Sequence, residues 1–459
     1  MRETGRRVTG EKVRRLSAVM LLVGSAVLLP SFAEGAQAQT ADESVAKDYP
    51  YLETLYRHLH SHPELSYQEA ETAKRIAAEL RALGFTVTEG IGGHGVVAIL
   101  DNGPGPTVML RTDLDALPVA ERTGLPYASN VRAVEQTGQE VSVMHACGHD
   151  VHMTVLVGTA RWLAAHRDRW SGRLMLIGQP AEERGAGARM MLEDGLFTRF
   201  PKPDFALALH VNAALPAGTV AYVPGYALAN VDSVDITVHG IGGHGAYPQA
   251  TKDPIVLAAE IILALQTIAS REIDPRDPVV VTVGSIHGGA KHNIIPERVD
   301  LQLTVRSYSD ATRRKVLDAI RRITVNMGRV AGLPADLLPE VKIHEEEYTP
   351  ATYNDPELTT RLAQALKARF GTDRVVQARP VMGGEDFARY GRAGVKAVML
   401  WLGAVDPEKW KRAQEGKLSL PSLHSPYFAP LPKPTITTGV ETMVTAVLTL
   451  MGRKGDGGS

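Results

Sequence analysis

Two acidic residues side by side, Glu182 and Glu183, stand in the run LMLIGQPAEERGAGARMML. A continuous apolar stretch from Leu174 to Gly178 precedes them, and a glycine-spaced helical pattern follows. That context puts the pair at the carboxyl end of a buried strand, where open α/β sheets keep their ligand crevices. Neighbours in extended chain point opposite ways, so one carboxylate can bind a metal while the other faces the reacting water. A solvated turn is the competing reading of any isolated Glu-Glu pair, and three further patches weigh against it. In HACGHDVHM, residues 145–153, Cys147 and His149 flank Gly148, which lets the backbone pass close to whatever both side chains contact. A helical stripe follows at Met153, Leu156, Val157, Ala160, Leu163 and Ala164, so the thiol precedes a helix N-terminus whose positive end favours thiolate. Cysteine and histidine suit zinc and its neighbours in the transition series. In TVMLRTDLDALPV an apolar strand runs into Asp113 and Asp115, and in DFALALHVN another ends on His210. Several strands delivering Cys, His, Glu and Asp to their carboxyl ends point to a metal centre.

The elements that must position these residues read as α/β. Ser66-Tyr67-Gln68-Glu69 has the form of a capping box, opening a helix with apolar positions Ala70, Ala73, Ile76, Ala77, Leu80 and Leu83 and a stop at Gly84. Strands and helices alternate to about Tyr226. From Val231 the pattern changes: VDSVDITVHG alternates as a strand, Asp253 to about Ile268 reads as a helix, and VVVTVGSIHG and RVDLQLTVRS read as strands. A long helix from Ala311 and a final strand, EVKIHEE, complete a β-α-β-β-α-β order that predicts an inserted ferredoxin-like unit. The expected divisions are residues 45–227 and 348–452 for a catalytic domain, 228–347 for the insert and 453–459 for a flexible tail. Gly240-Ile241-Gly242-Gly243-His244-Gly245 fits G-x-G-x-x-G, but a dinucleotide site needs its helix to begin within the motif. Tyr247-Pro248 and Asp253-Pro254 delay that helix, so a loop bringing a histidine to a ligand fits better.

Composition narrows the classes further. The 459-residue length suits two or three domains with ample core. A net charge of −1 with 22% charged residues gives no global attraction to nucleic acid or anionic lipid. Arg313, Arg314, Lys315, Arg321 and Arg322 form one dense basic cluster, read as the solvated face of the long helix. The single cysteine excludes an intrachain disulfide. At the N-terminus, Arg6, Arg7, Lys12, Arg14 and Arg15 precede a largely apolar run from Leu16 to about Leu29, and Ala36-Gln37-Ala38 has the form of a cleavage site. Residues 1–38 therefore read as a signal peptide, with secretion into a bacterial periplasm and no stable membrane insertion afterwards. Arg14-Arg15 leaves both the general and the twin-arginine export routes open.

RHLHSHPELSYQE, RTDLDALPV, MHACGHDVHM, GQPAEE, GIGGHGAYP, HNIIPE, MGGEDF and LHSPYF, in this order from about His58 to Phe428, resemble a known family. It is that of the co-catalytic metal amidohydrolases related to hippurate hydrolase, N-acyl-amino-acid hydrolases and plant auxin-conjugate hydrolases, a branch of the carboxypeptidase and aminoacylase group. The resemblance implies a zinc-peptidase-like α/β catalytic domain, its central mixed sheet flanked by helices, plus an inserted α+β dimerisation (lid) domain. It implies two divalent metal ions per subunit (Zn, Mn, Co or Ni) bridged by Cys147, with His149 and His210 on one and Glu183 and His424 on the other. Related peptidases place a histidine where this chain has Asp113, a departure that points to the amidohydrolase branch. Asp115 would orient a ligand, and Glu182 would be the general acid/base. The insert would pair two subunits into a homodimer, with His244 reaching into the neighbour's site to steady the oxyanion. Asn293 and Arg306 would hold the substrate's carboxylate. The expected substrates are N-acyl amino acids, hippurate-like compounds or short peptides cut from the carboxyl end. A binding or receptor-like relative without the reaction, and a thiol hydrolase built on Cys147 and His149, are the competing readings. Glu182 together with all five proposed ligands favours the enzyme, since a binding module has no need of the base.

Overall fold

The structure, a computed structural model, describes residues 34–453, with side chains from Glu43 onward. The basic start and apolar run of the expected signal peptide, and residues 454–459 of the expected tail, lie outside the described residues. Helices α1 (Glu34–Ser61) and α2 (Ala70–Ala82) are followed by strands β1 (Thr86–Ile91), β2 (Gly95–Asn102) and β3 (Thr107–Asp113). Then come α3 (His149–Ala165), β4 (Gly172–Gln179), α4 (Gly187–Glu193), β5 (Phe205–Pro216) and β6 (Val220–Tyr222). The next stretch holds β7 (Asn230–His239), α5 (Pro254–Thr267), β8 (Val280–Gly288), β9 (Arg298–Ser307), α6 (Asp310–Val330) and β10 (Glu340–Ile343). The chain closes with α7 (Pro356–Phe370), β11 (Val375–Gln377), β12 (Lys396–Val405) and α8 (Pro432–Met451).

Eight strands form one mixed sheet in the order β1-β2-β4-β3-β5-β12-β6-β11. Strands β4, β3, β5 and β12 at its centre run parallel. Their apolar runs are continuous because both faces are covered. Val108, Leu110, Leu174, Leu176, Leu207 and Leu209 join a core with Leu52 and Leu55 of α1, Val151 and Leu156 of α3, and Val440 and Val444 of α8. The alternate residues Met109, Met175, Ile177, Ala206 and Ala208 join a second core with Ala188 and Met191 of α4. Asp113 is registered against Gln179, and Arg111 against Ala208, so His210 stands level with Asp113. Three parallel strands thus end their chemistry-bearing residues at one height.

Strand β4 stops at Gln179, since Pro180 cannot donate to the ladder and Ala181 turns left-handed, with φ +48°. The expected capping box does not open α2. Ser66 Oγ donates instead to Asp115 Oδ2 at 2.6 Å, and Glu69 accepts from the backbone of Tyr67 and Ala181. Glu64 does the capping, accepting from the amides of Glu71 at 3.2 Å and Thr72 at 2.7 Å. Gly84 follows the helix at φ +83°, as the stop signal requires.

The segment from β7 to β10 makes its own antiparallel sheet in the order β8-β9-β7-β10. This is the order that the β-α-β-β-α-β pattern predicts for a ferredoxin-like unit. Val234, Ile236 and Val238 of β7 pack against Leu257 and Ile261 of α5 and Val316 and Ile320 of α6. One residue of the basic cluster departs from the solvated reading. Arg313 is largely buried and grips Asp232 of β7 with both Nε and an Nη at 2.8 and 2.6 Å, because it lies on the flank of α6 that meets the sheet.

Candidate metal centre

Gly148, at φ +79°, immediately precedes α3. A Cβ there would stand 2.6 Å from Val211 Cγ2, so only glycine lets the Cys147 loop approach β5. His149 is the first residue of α3, and its Nδ1 donates to the Asp115 carbonyl at 2.7 Å. His210 Nδ1 likewise donates to the Val211 carbonyl at 2.8 Å. Both imidazoles therefore turn Nε2 inward. His210 Nε2 lies 3.5 Å from Cys147 Sγ. From the other side His424 Nε2 lies 3.3 Å from the same sulfur and 3.6 Å from Glu183 Oε1.

Two donor sets result, Cys147 with His149 and His210, and Cys147 with Glu183 and His424, each with all its atoms within 4.8 Å of one another. The thiol belongs to both. His149 Nε2 and Glu183 Oε1 are buried without a hydrogen-bond partner. Buried polar atoms are rarely left so, and a thiol, imidazoles and a carboxylate are the donors that zinc and its neighbours take. The residues present fit divalent cations. Asp113, His149 and His152 also converge. There, however, His152 Nδ1 already donates to Asp113 Oδ1 at 2.7 Å and its Nε2 accepts the Val211 amide at 2.9 Å, which makes it a brace.

Glu182 and Glu183 do not point oppositely from extended chain. Beyond Ala181 they lie in a 3-10 turn (Glu182–Arg184), and both carboxylates approach His149 Nε2, at 3.9 and 3.8 Å. Burial, with Glu385, Glu183 and Asp386 beside it, holds the Glu182 carboxyl well above the usual range. Burial also raises Glu183, to about 7, against the pull of His149. Burial with His152 nearby keeps His210 well below 6.5, hence neutral. His149 loses affinity for a proton by burial, but Asp113, Asp115 and Glu183 outweigh this and lift it to about 10. The Cys147 thiol is pushed far up by burial, then by Glu183 and Glu182. That reverses the expected helix-dipole effect, which is small beside the loss of hydration. Cations binding here must displace these protons.

The supporting residues went unassigned in the sequence. Arg111, wholly buried in β3, donates to Asp113 at 2.6 Å, Gln179 at 3.0 Å, Glu385 at 2.8 Å and Asp386 at 3.1 Å. It ties the MGGEDF loop to the two central strands, and the Ala188 amide at the start of α4 adds a bond to Asp386 at 2.9 Å. The available signal was an arginine within an apolar strand, since a charge there must be paired. His244, Asn293 and Arg306 sit in the second sheet's segment. His244 is exposed on Gly243–His244, pairs with Ile294, and accepts from the Ala246 amide at 3.0 Å. Among the described residues no hydrogen bond or ion pair joins it to the Cys147 centre. Asn293 is exposed beside it, its carbonyl accepting the Gly245 amide at 2.9 Å. Arg306 is half-buried and donates to the Met382 carbonyl at 2.8 Å, gripping the loop that carries Glu385.

Paired donor sets, assembled from parallel strand ends (His210, Glu183), the start of α3 (His149) and two loops (Cys147, His424), with an additional carboxylate at the same spot, define a metal hydrolase centre. The profile of peptidase family M20/M25/M40 matches residues 109–425, and the chain belongs to that family. It is 40% identical over 340 residues to thermostable carboxypeptidase 1 of Saccharolobus solfataricus, covering 73% of this chain and 81% of that one. It is 37% identical over 339 residues to hippurate hydrolase of Campylobacter jejuni, covering 73% and 84%. Among solved structures, a dinuclear metal binding peptidase of the M20 family from Bacillus subtilis superposes with a TM-score of 0.70 at 30% identity, covering 89% of this chain and 99% of that one. The chain is a metal-dependent hydrolase.

Proposed function

We propose that the protein hydrolyses the amide bond of N-acyl amino acids, hippurate-like conjugates or short peptides from the carboxyl end, with Glu182 as general acid/base. The observation that carries this is the position of Glu182. Its carboxylate lies 3.9 Å from His149 Nε2, at the edge of both donor sets, which are complete without it. Cys147, His149 and His210 would hold one divalent ion, and Cys147, Glu183 and His424 the other; Zn, Mn, Co and Ni all suit these donors. Such a pair supplies acidified water near neutral pH and polarises a carbonyl. Glu182 accepts a proton at its carboxylate as water attacks and returns it to the departing amine nitrogen. Asp115 orients His149 and the Glu183 turn. Arg306 and Asn293 lie on the segment that would face the substrate's carboxylate, and His244 would enter a neighbouring subunit's site.

Two further parts of the reading concern the whole assembly. A homodimer is favoured by apolar surface left bare on the inserted sheet's layer: Ile255, Val256 and Leu263 on α5 and Ile286 on the edge strand β8. Export to a bacterial periplasm rests on the N-terminal basic and apolar pattern. The test of the chemistry is Glu182→Gln, read by elemental analysis and by amine release from a panel of N-acyl amino acids. The expected result is about two metals retained and turnover lowered about 10²–10⁴-fold. Wild-type turnover in the variant removes Glu182 from the mechanism, and absence of metal after loading with several ions removes the centre.

A further inference from the structure

Three non-glycine residues among those described have positive φ: Tyr67 at +69°, Ala181 at +48° and His424 at +65°. His424 is one of the donors, Ala181 leads into Glu182, and Tyr67 follows Ser66, which bonds Asp115; each is a conformation that an L-residue keeps only when its surroundings enforce it. For two of them the enforcing atom is the same. Oε1 of Glu69 accepts from the Tyr67 amide at 2.9 Å and from the Ala181 amide at 2.8 Å. Glu69 is fully buried, and its second oxygen has no partner. Two residues beyond Ala181, the Glu183 amide donates to Asp115 Oδ2 at 3.0 Å, and that oxygen is itself held by Ser66 Oγ at 2.6 Å. Glu182 therefore sits between two pinned amides. One is pinned by Glu69 and the other by Asp115, which Ser66 holds, so the ELSYQE segment controls both.

We infer that Glu69 is a positioning residue: by holding Ala181 in the left-handed conformation, it sets where the carboxylates of Glu182 and Glu183 stand. Its kinetic consequence rests on the hydrolytic function proposed above, whereas its consequence for the Glu183 donor set does not. Without the acceptor, residue 181 relaxes toward the strand conformation of β4, and the two carboxylates swing off the centre.

Four variants separate this role from simple packing. Glu69→Ala removes the acceptor. Glu69→Gln keeps an amide oxygen for both donors. Ala181→Gly supplies a residue that adopts φ near +48° freely, and it is combined with Glu69→Ala in the fourth. Each is read by kcat and KM on an N-acyl amino acid and, separately, by retention of zinc against a competing chelator. Glu69→Ala is expected to lower kcat by about tenfold or more, with KM within about threefold, since small misplacements of reacting groups cost that much. It should also release one zinc equivalent more readily. Glu69→Gln should stay near wild type, and Ala181→Gly should restore most of both losses in the Glu69→Ala background. Wild-type kcat and zinc retention in Glu69→Ala overturn the inference. So does a Gln variant as impaired as the Ala variant, or a double variant no better than Glu69→Ala. If Glu69→Ala does not fold, Glu69→Asp, which withdraws the oxygen by one methylene, is read in the same way. If the wild type cleaves no N-acyl amide the proposed function fails, and the chelator competition alone still decides the role of Glu69.

Discussion

Removing the His60 imidazole is expected to destabilise the protein by an amount that depends on pH in a defined direction. His60 lies at the end of α1 with its side chain 1% exposed, Nδ1 2.7 Å from Asp150 Oδ2 and Nε2 3.1 Å from Glu121 Oε1. Asp150 follows His149, so this pairing anchors the first turn of the helix that carries a metal donor. Burial alone lowers the imidazole's pKa, but hydrogen bonds to Asp150 and Glu121 outweigh it and raise the value from 6.5 to about 10. A folded value about 3.5 pH units above the unfolded one, at about 1.4 kcal/mol per unit, sets a ceiling of roughly 5 kcal/mol. Deleting one partner of a buried ion pair costs about 3–5 kcal/mol, in the same range. Between about pH 6.5 and pH 10 the folded chain binds a proton that the unfolded chain does not. The stabilisation is therefore complete below about pH 6.5 and drains away as pH rises toward 10. Denaturant unfolding of wild type and His60→Gln, with metal content matched, should give a stability gap of about 3–5 kcal/mol at pH 6 that narrows steadily by pH 10. A gap below about 1 kcal/mol at pH 6, or one that stays constant with pH, refutes the reasoning.

Gly187→Ala should damage both stability and turnover, because a Cβ at that position would stand 1.6 Å from the Pro180 carbonyl oxygen. Backbone must move to admit it, at about 1–3 kcal/mol, and Pro180 leads directly into Ala181 and Glu182. Unchanged melting temperature and kcat would show that the turn tolerates displacement. Leu263, on the outer face of α5, is 72% exposed. Leu263→Glu is expected to leave each chain folded and convert the proposed dimer to monomer in light scattering after gel filtration. A wild-type chain that already runs as a monomer at micromolar concentration removes the dimer from the proposal.

What was legible in the sequence follows from the range of the interactions concerned. The strand Asn230–His239 alternates buried and partly exposed residues along its whole length, and that period-2 pattern stands openly in VDSVDITVHG. The parallel strands were legible as apolar runs, since both faces are covered. Local rules failed where a side chain had a better distant partner. Ser66 and Glu69 form a convincing capping box by spacing, yet they bond to Asp115 and Ala181, 49 and 112 residues away. The donor residues could be assembled only through the family resemblance, because no periodicity links Cys147 to His424, 277 residues on. Arg111 and Glu385 meet across 274 residues. A lone arginine in TVMLRTD shows that such a partner must exist without saying where it lies.

The same distinction explains why the Glu182–Glu183 pair was located correctly but oriented wrongly. Strand periodicity holds only while the ladder continues, and Pro180 ends the ladder one residue before Ala181 inverts the chain. Past that point the direction of a side chain depends on which backbone amides are held, and by what. Here the holders are two buried carboxylates, Glu69 and Asp115. A carboxylate can accept several amides at once, and Glu69 uses one oxygen for two of them. The turn that presents both carboxylates to His149 is therefore specified by residues that touch neither donor set's inward-facing atoms. Substitutions in the ELSYQE segment should accordingly reach the chemistry through the backbone of residues 181–183, and a glycine at 181 is the change that uncouples the two.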